Sequence, residues 1–142
     1  YPPHGVRGYA GAPRASNYGR IKDYAHHNAE ELCLLLQVET LQGLENLEAI
    51  ANVDGVDGVF IGPGDLSAAL GHLANPKHPD VLKAIDDAIA RIKACGKAPG
   101  ILTGDEALAQ HCVAQGCLFV AVGADQNVLR DSATALAQRF KS

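Results

Sequence analysis

The stretch Leu32–Leu66, LCLLLQVETLQGLENLEAIANVDGVDGVFIGPGDL, decides the architecture. Leu32–Val38 is a short, almost unbroken apolar run, the pattern of a parallel strand buried on both faces, and it ends on Glu39. Gly55–Gly62 is a second apolar run, followed by Pro63-Gly64 and then Asp65. Between the two, Thr40 is placed to cap a helix running to about Ala51, with Leu41, Leu44, Leu47 and Ile50 at helical spacing. Strand, helix, strand in this order is a parallel crossover unit, and it brings the C-terminal ends of both strands to one edge of the sheet. Neighbouring strands lie ~5 Å apart, so adjacent strands would bring Glu39 and Asp65 together. Two carboxylates in such a place repel, and one takes up a proton unless a cation lies between them.

The same alternation continues downstream. A helical turn at Leu66–Leu70 and a loop with Asn75-Pro76 and His78-Pro79 lead to a helix at about Asp80–Cys95, whose stripe is Val81, Ile85, Ala88, Ile89 and Ile92. Ala98–Leu102 predicts a third strand, Asp105–Gln115 a helix, Leu118–Val122 a fourth strand and Asp125–Phe140 a last helix. Four β/α units fit half of an eight-stranded barrel or a small open sheet. An open doubly wound sheet would favour a glycine-rich phosphate loop after its first strand, whereas Glu39-Thr40-Leu41-Gln42-Gly43 is no such loop. Acids at the C-terminal ends of successive strands are what a (β/α)8 TIM barrel uses for chemistry. The α/β chain is therefore read as about half of a barrel.

Upstream, residues 1–31 form a loop-rich lead-in with Gly, Pro, Tyr and Arg, in which Asp23–Glu31 has room for a short helix. His26 and His27 on it are neighbours that point to different faces, as surface or interface residues do.

Bulk properties narrow the function classes. The 142 residues are 47% hydrophobic and 20% charged, the balance of a globular protein. A net charge of −4 without a Lys/Arg-rich run gives no footprint for nucleic acid. No apolar stretch is long enough for a bilayer and no signal peptide opens the chain, so the expected setting is cytoplasmic, away from membranes. Cys33, Cys95, Cys112 and Cys117 form no CxxC and read as buried reduced thiols. The chain contains no methionine and opens on Tyr1-Pro2-Pro3, so it is read as a fragment of a longer protein.

Strand alternation puts Gln37 on the same side as Glu39. Gly62-Pro63-Gly64-Asp65 lets the backbone approach a ligand closely, and the amides of Gly64 and Asp65, opening a helical turn, suit an anionic carboxylate. Two carboxylates and an amide oxygen suit a hard cation such as Mg²⁺ or Mn²⁺. Taken singly, Glu39 also reads as a strand-end surface acid and Asp65 as the N-cap of the following turn.

Several segments together carry a resemblance: Tyr1–Gly8 (YPPHGVRG), Gln37-Val38-Glu39-Thr40, Gly55–Leu66, Gly96–Leu102 (GKAPGIL) and Phe119–Gly123 (FVAVG). In this order and spacing the chain resembles the HpcH/HpaI aldolase family, most closely its 4-hydroxy-2-oxoheptanedioate (2,4-dihydroxyhept-2-ene-1,7-dioate) aldolase branch. The resemblance implies that residues 1–142 are the C-terminal part of a single barrel domain. It implies a class II aldolase that uses Mg²⁺, Mn²⁺ or Co²⁺ and cleaves 4-hydroxy-2-oxo acids to pyruvate and an aldehyde, in aromatic or sugar-acid catabolism. By the matching motifs Glu39 and Asp65 correspond to the metal ligands, and Gln37 with the backbone of Gly64 and Asp65 to substrate contacts.

The family's general-base His and carboxylate-binding Arg lie upstream of the Tyr-Pro-Pro motif, so no catalytic residue of that kind is expected here. None of His4, His26, His27, His72, His78 or His111 matches that position, and Arg7, which could face the site from its Gly-rich loop, reads first as a loop salt-bridge or interface residue. The resemblance also implies a homo-oligomer with exchanged C-terminal helices, to which the final helix's Val128, Leu129, Leu136 and Phe140 would contribute.

Three other readings stand beside it. One is a CoA-thioester lyase relative of the same superfamily. Another is a non-catalytic metal-binding fragment. A Schiff-base aldolase would need a lysine at a strand's C-terminal end, but Lys97 precedes its strand.

Overall fold

In the computed structural model, which describes residues 1–141, the chain divides into two compact units, Tyr1–Cys33 and the residues from Leu34 onward. The first unit is mostly loop. Its regular pieces are a 3-10 turn at Arg14–Ser16, the short helix α1 (Tyr24–His27) and a 3-10 turn at Asn28–Glu30. The single helix expected over Asp23–Glu31 is thus split in two. The fully buried Ser16 organises the loop, its hydroxyl lying 2.8 Å from the Pro13 carbonyl and accepting from the Gly19 amide at 3.0 Å. The Arg7 guanidinium lies over the Tyr1 ring, 5.4 Å from its centroid.

The second unit carries the sheet. Its order is β1 (Leu35–Val38), α2 (Leu41–Glu45), α3 (Leu47–Ala51), β2 (Gly58–Ile61), α4 (Pro63–Ala69), α5 (Pro79–Ala94), β3 (Ala98–Leu102), α6 (Glu106–Gln115), β4 (Phe119–Ala121) and α7 (Asp125–Gln138). The four strands are parallel and lie in the order β1-β2-β3-β4, so each pairs with its neighbour in sequence. A doubly wound sheet reverses its order at a switch point and has helices on both faces. Here there is no reversal, and the core lies on one face. Val38, Val59, Ile61 and Ile101 pack with Leu47, Ile85, Ile89, Ile92, Leu108 and Cys112 in one buried cluster. This winding is that of about half a (β/α)8 barrel.

The opposite face is built from the alternate residues. In register across the sheet stand Leu35, Gly58 and Ala98, then Gln37, Phe60, Gly100 and Phe119, then Leu102 and Ala121. Phe60 and Phe119 meet edge to face over Gly100, their centroids 5.8 Å apart. Burial on both faces, expected for β1, does not hold: Gln37 is exposed and Leu35 only half-buried. β1 also starts later than Leu32, because the ladder begins where Leu35 meets Gly58, and Leu32 and Leu34 are 58% and 45% exposed.

The helices follow from local chemistry. Thr40 caps α2, its hydroxyl accepting from the Gly43 amide at 2.9 Å, but the helix breaks at Asn46, so one stripe over residues 41–50 does not form. Leu47 and Ala51 are buried while Leu41 is exposed. On α5 all five predicted stripe residues are buried. In contrast α7 buries none of its residues, and Val128, Leu129 and Leu136 stand exposed. Among the described residues no helix is long and apolar enough to cross a membrane.

Arg91 on α5 clamps α2 and α3. Its Nε and a terminal nitrogen donate to the two Glu48 oxygens at 2.5 and 2.6 Å, and that terminal nitrogen also reaches the Leu44 carbonyl at 2.7 Å. Hydrogen bonds from Arg91, then from the backbone, pull the Glu48 carboxyl from 4.5 down to about 2. A carboxyl whose folded value is lowered stabilises above its unfolded value and loses that contribution as pH falls through the folded one. The carboxylate is solvent-exposed, so the effect is modest. Glu48→Gln should therefore lower the urea midpoint at pH 6, and the gap from wild type should shrink as pH drops below 4.5 and close near 2. A pH-independent gap would show that the clamp does not act through this charge.

Candidate active site

The ladder pairs Val38 with Ile61, so one residue further Glu39 comes against Gly62, and β1 and β2 end at the same edge. The Gln37 amide nitrogen donates to Glu39 Oε2 at 2.5 Å. That orientation leaves the Gln37 carbonyl and the second Glu39 oxygen for another partner. Gly62 is what makes the space. A Cβ there would lie 2.5 Å from Glu39 Oε2, 2.8 Å from Gln37 Nε2 and 3.0 Å from Glu39 Cβ.

Gly62 is also the N-cap of α4, and Pro63 opens the helix with its missing N–H where no partner is needed. The first helical bond runs from the Leu66 amide to the Gly62 carbonyl at 2.9 Å, ahead of which stand the amides of Gly64 and Asp65. Both residues are exposed, and Ser67 Oγ donates to the Gly64 carbonyl at 2.7 Å. Asp65 is in the first turn, so its alternative reading as the N-cap is corrected. Gln37, Glu39 and Gly62 are thus in contact, with Gly64 and Asp65 following at once on α4. Glu39 is half-buried while Gln37 and Asp65 are exposed, and carboxylate and amide oxygens are the donor type that a hard divalent cation takes.

Another group of ligand-type side chains lies between α4 and α5. His72, His78 and Asp80 offer one atom each, all within 4.8 Å of one another, a cluster able to coordinate a metal ion. Sequence reasoning passed over it, because spacings of six and two residues through a Pro-containing loop match neither helix nor strand period. The one usable signal was His78-Pro79-Asp80, which puts two ligand types at a helix start.

Other candidates are occupied or inert. His111 Nε2 lies 2.8 Å from Asp86 Oδ1, and His27 Nδ1 lies 3.4 Å from Glu30 Oε1. All four cysteines are free; Cys112 and Cys117 are buried as expected, whereas Cys95 is half-buried and Cys33 exposed. Burial pushes the Cys112 thiol up to about 11, which leaves no nucleophilic thiolate there near neutral pH.

The chain is similar to known proteins over nearly its whole length. A family profile described as HpcH/HpaI aldolase/citrate lyase matches residues 1–132. The chain is 58% identical over 142 residues to a hydroxypyruvate/pyruvate aldolase of Pseudomonas aeruginosa, covering 99% of this chain and 53% of that protein. It is 54% identical over 141 residues to a 4-hydroxy-2-oxo-heptane-1,7-dioate aldolase of Klebsiella pneumoniae, covering 99% and 53%. A crystal structure of an HpcH/HpaI aldolase/citrate lyase family protein from Burkholderia cenocepacia superposes with a TM-score of 0.84 at 38% identity, over 98% of this chain and 55% of that one. The chain spans about half the length of the curated relatives it matches.

Proposed function

Because the chain belongs to the HpcH/HpaI aldolase/citrate lyase family, we propose that it supplies the metal-binding and enolate-stabilising part of a pyruvate aldolase. The reaction is cleavage of a 4-hydroxy-2-oxo acid to pyruvate and an aldehyde. The observation that carries this reading is the seating of Gln37 and Glu39 against the Cβ-less Gly62, at the strand edge from which α4 and Asp65 start. Glu39 and Asp65 would hold the divalent ion, Mg²⁺, Mn²⁺ or Co²⁺. When bound, that ion polarises the 2-oxo group and stabilises the negative charge left on pyruvate by C–C cleavage.

The residues of this chain orient the substrate around that centre. The second N–H of the Gln37 amide and the backbone amides of Gly64 and Asp65 would donate to the oxygens of the 2-oxo acid, the backbone amides suiting its carboxylate. None of the six histidines is assigned as the general base. The apolar stripe of α7, with no buried residue of its own, supports association of this part with another polypeptide in an oligomer.

The reading is tested on the intact protein with 4-hydroxy-2-oxoheptanedioate, pyruvate release being followed through lactate dehydrogenase. Activity should fall to background with EDTA and return with Mn²⁺ or Mg²⁺. Turnover that survives full chelation, or that requires a CoA thioester, would overturn it.

A further inference from the structure

We infer that His72, His78 and Asp80 form a cation site of the zinc class, separate from the oxygen-donor site at Glu39 and Asp65. Asp80 Oδ2 lies 3.2 Å from His72 Nε2 and 3.5 Å from His78 Nδ1. Tetrahedral zinc with Zn–N and Zn–O bonds of about 2.0–2.2 Å needs ligand atoms about 3.3–3.6 Å apart; the 3.5 Å edge has that length and the 3.2 Å edge falls just short of it. Two imidazole nitrogens and one carboxylate oxygen suit Zn²⁺ better than Mg²⁺ or Mn²⁺.

Two hydrogen-bond contacts stand where the ion would bind. The Asp80 amide donates to the His78 Nδ1 lone pair at 3.3 Å, and His72 Nε2 lies 3.2 Å from Asp80 Oδ2. A metal takes the same lone pairs, so binding replaces both contacts. The neighbouring Lys77 ammonium is paired with Asp105 and does not compete for Asp80.

Backbone hydrogen bonds fix the loop that carries the two histidines. The His72 amide donates to the Ser67 carbonyl at 2.7 Å, the Asn75 amide to His72 at 2.9 Å and the His78 amide to Asn75 at 3.1 Å. The His72 and His78 side chains are 25% and 33% exposed and that of Asp80 67%, which leaves access for the ion and for a water as fourth ligand. The imidazole rings are stacked, 14° from parallel with centroids 3.4 Å apart. A metal lies in the plane of each ring it binds, so binding must splay this stack. The ion would then clip the loop after α4 to the first turn of α5.

The experiment uses the intact protein, stripped of metal and kept in excess Mg²⁺ so that the oxygen site is filled. Zn²⁺ is titrated against a chromophoric chelator, and the melting temperature is followed in parallel. One Zn²⁺ should bind per chain and raise the melting temperature. His72→Ala should weaken that site by at least about tenfold and remove the thermal shift, while Mg²⁺-supported turnover is unchanged. His78→Asn keeps an acceptor for the Asp80 amide at the start of α5 and should weaken Zn²⁺ equally, which separates lost ligation from a lost cap. Zinc affinity unchanged in both variants, or zinc lost on Asp65→Asn instead, would overturn the site.

Discussion

Glu39→Ala and Asp65→Ala should each remove the calorimetric Mn²⁺ site of the intact protein and lower pyruvate release by at least about 10²–10³-fold. The effect is large because a single carboxylate must shed its water to bind the ion, and one removed ligand leaves the other facing solvent. Glu39 already accepts from Gln37 at 2.5 Å in the space left by Gly62, so its truncation loses an oriented ligand. Asp65, exposed in the first turn of α4, has no such packing role. Its variant should melt like wild type in the absence of metal. Mn²⁺ affinity unchanged in both variants would sink the assignment, and His72→Ala, which should leave the Mn²⁺ site intact, tells the two metal sites apart.

Gly58→Ala should destabilise the fold by about 1–3 kcal/mol, with a lower urea midpoint and an unchanged slope. A Cβ at this position would lie 2.4 Å from the Ala98 carbonyl oxygen, 2.8 Å from Leu35 Cδ2 and 3.1 Å from Ala98 Cβ. The nearest of these is backbone of the adjoining strand and cannot rotate away, so the β2–β3 ladder itself must shift. Gly64→Ala is the control. Nothing lies within 4 Å of a Cβ there, and in a helix the change from glycine should be neutral or stabilising by up to about 1 kcal/mol. Equal midpoints for Gly58→Ala and wild type would mean that the sheet tolerates a wider strand separation than its register implies.

The elements most legible in the sequence are those whose pattern repeats. The i, i+4, i+7 spacing from Val81 to Ile92 could bury only one face, and all five stripe residues are buried. β3 has its predicted bounds, Ala98–Leu102. The start of β1 was not legible, because an apolar run does not say where its partner begins. The Leu34 amide is taken by the Asp57 side chain at 2.6 Å, and the ladder opens one residue later.

The break at Asn46 was hidden for a similar reason. Leu41, Leu44, Leu47 and Ile50 keep helical spacing across it, yet Leu47 alone of the four is fully buried. At the site, strand alternation was enough to pair Gln37 with Glu39, whose contact is direct. The space at Gly62 and the His72–His78–Asp80 cluster depend on loop paths and on an absent side chain, which carry no period.

The unbroken strand order has a consequence for how the chain acquires its fold. From β2 onward each strand pairs with the one made just before it, across a crossover of one or two helices. Loop-closure cost grows only slowly with length, and folding is faster when contacts are close in sequence. β1 therefore has its hydrogen-bonding partner as soon as β2 emerges from the ribosome, and β2 as soon as β3 does. At translation rates of about 5–20 residues per second, the pairings can be completed in order of synthesis, and the most recently made strand carries the open edge until the next one arrives.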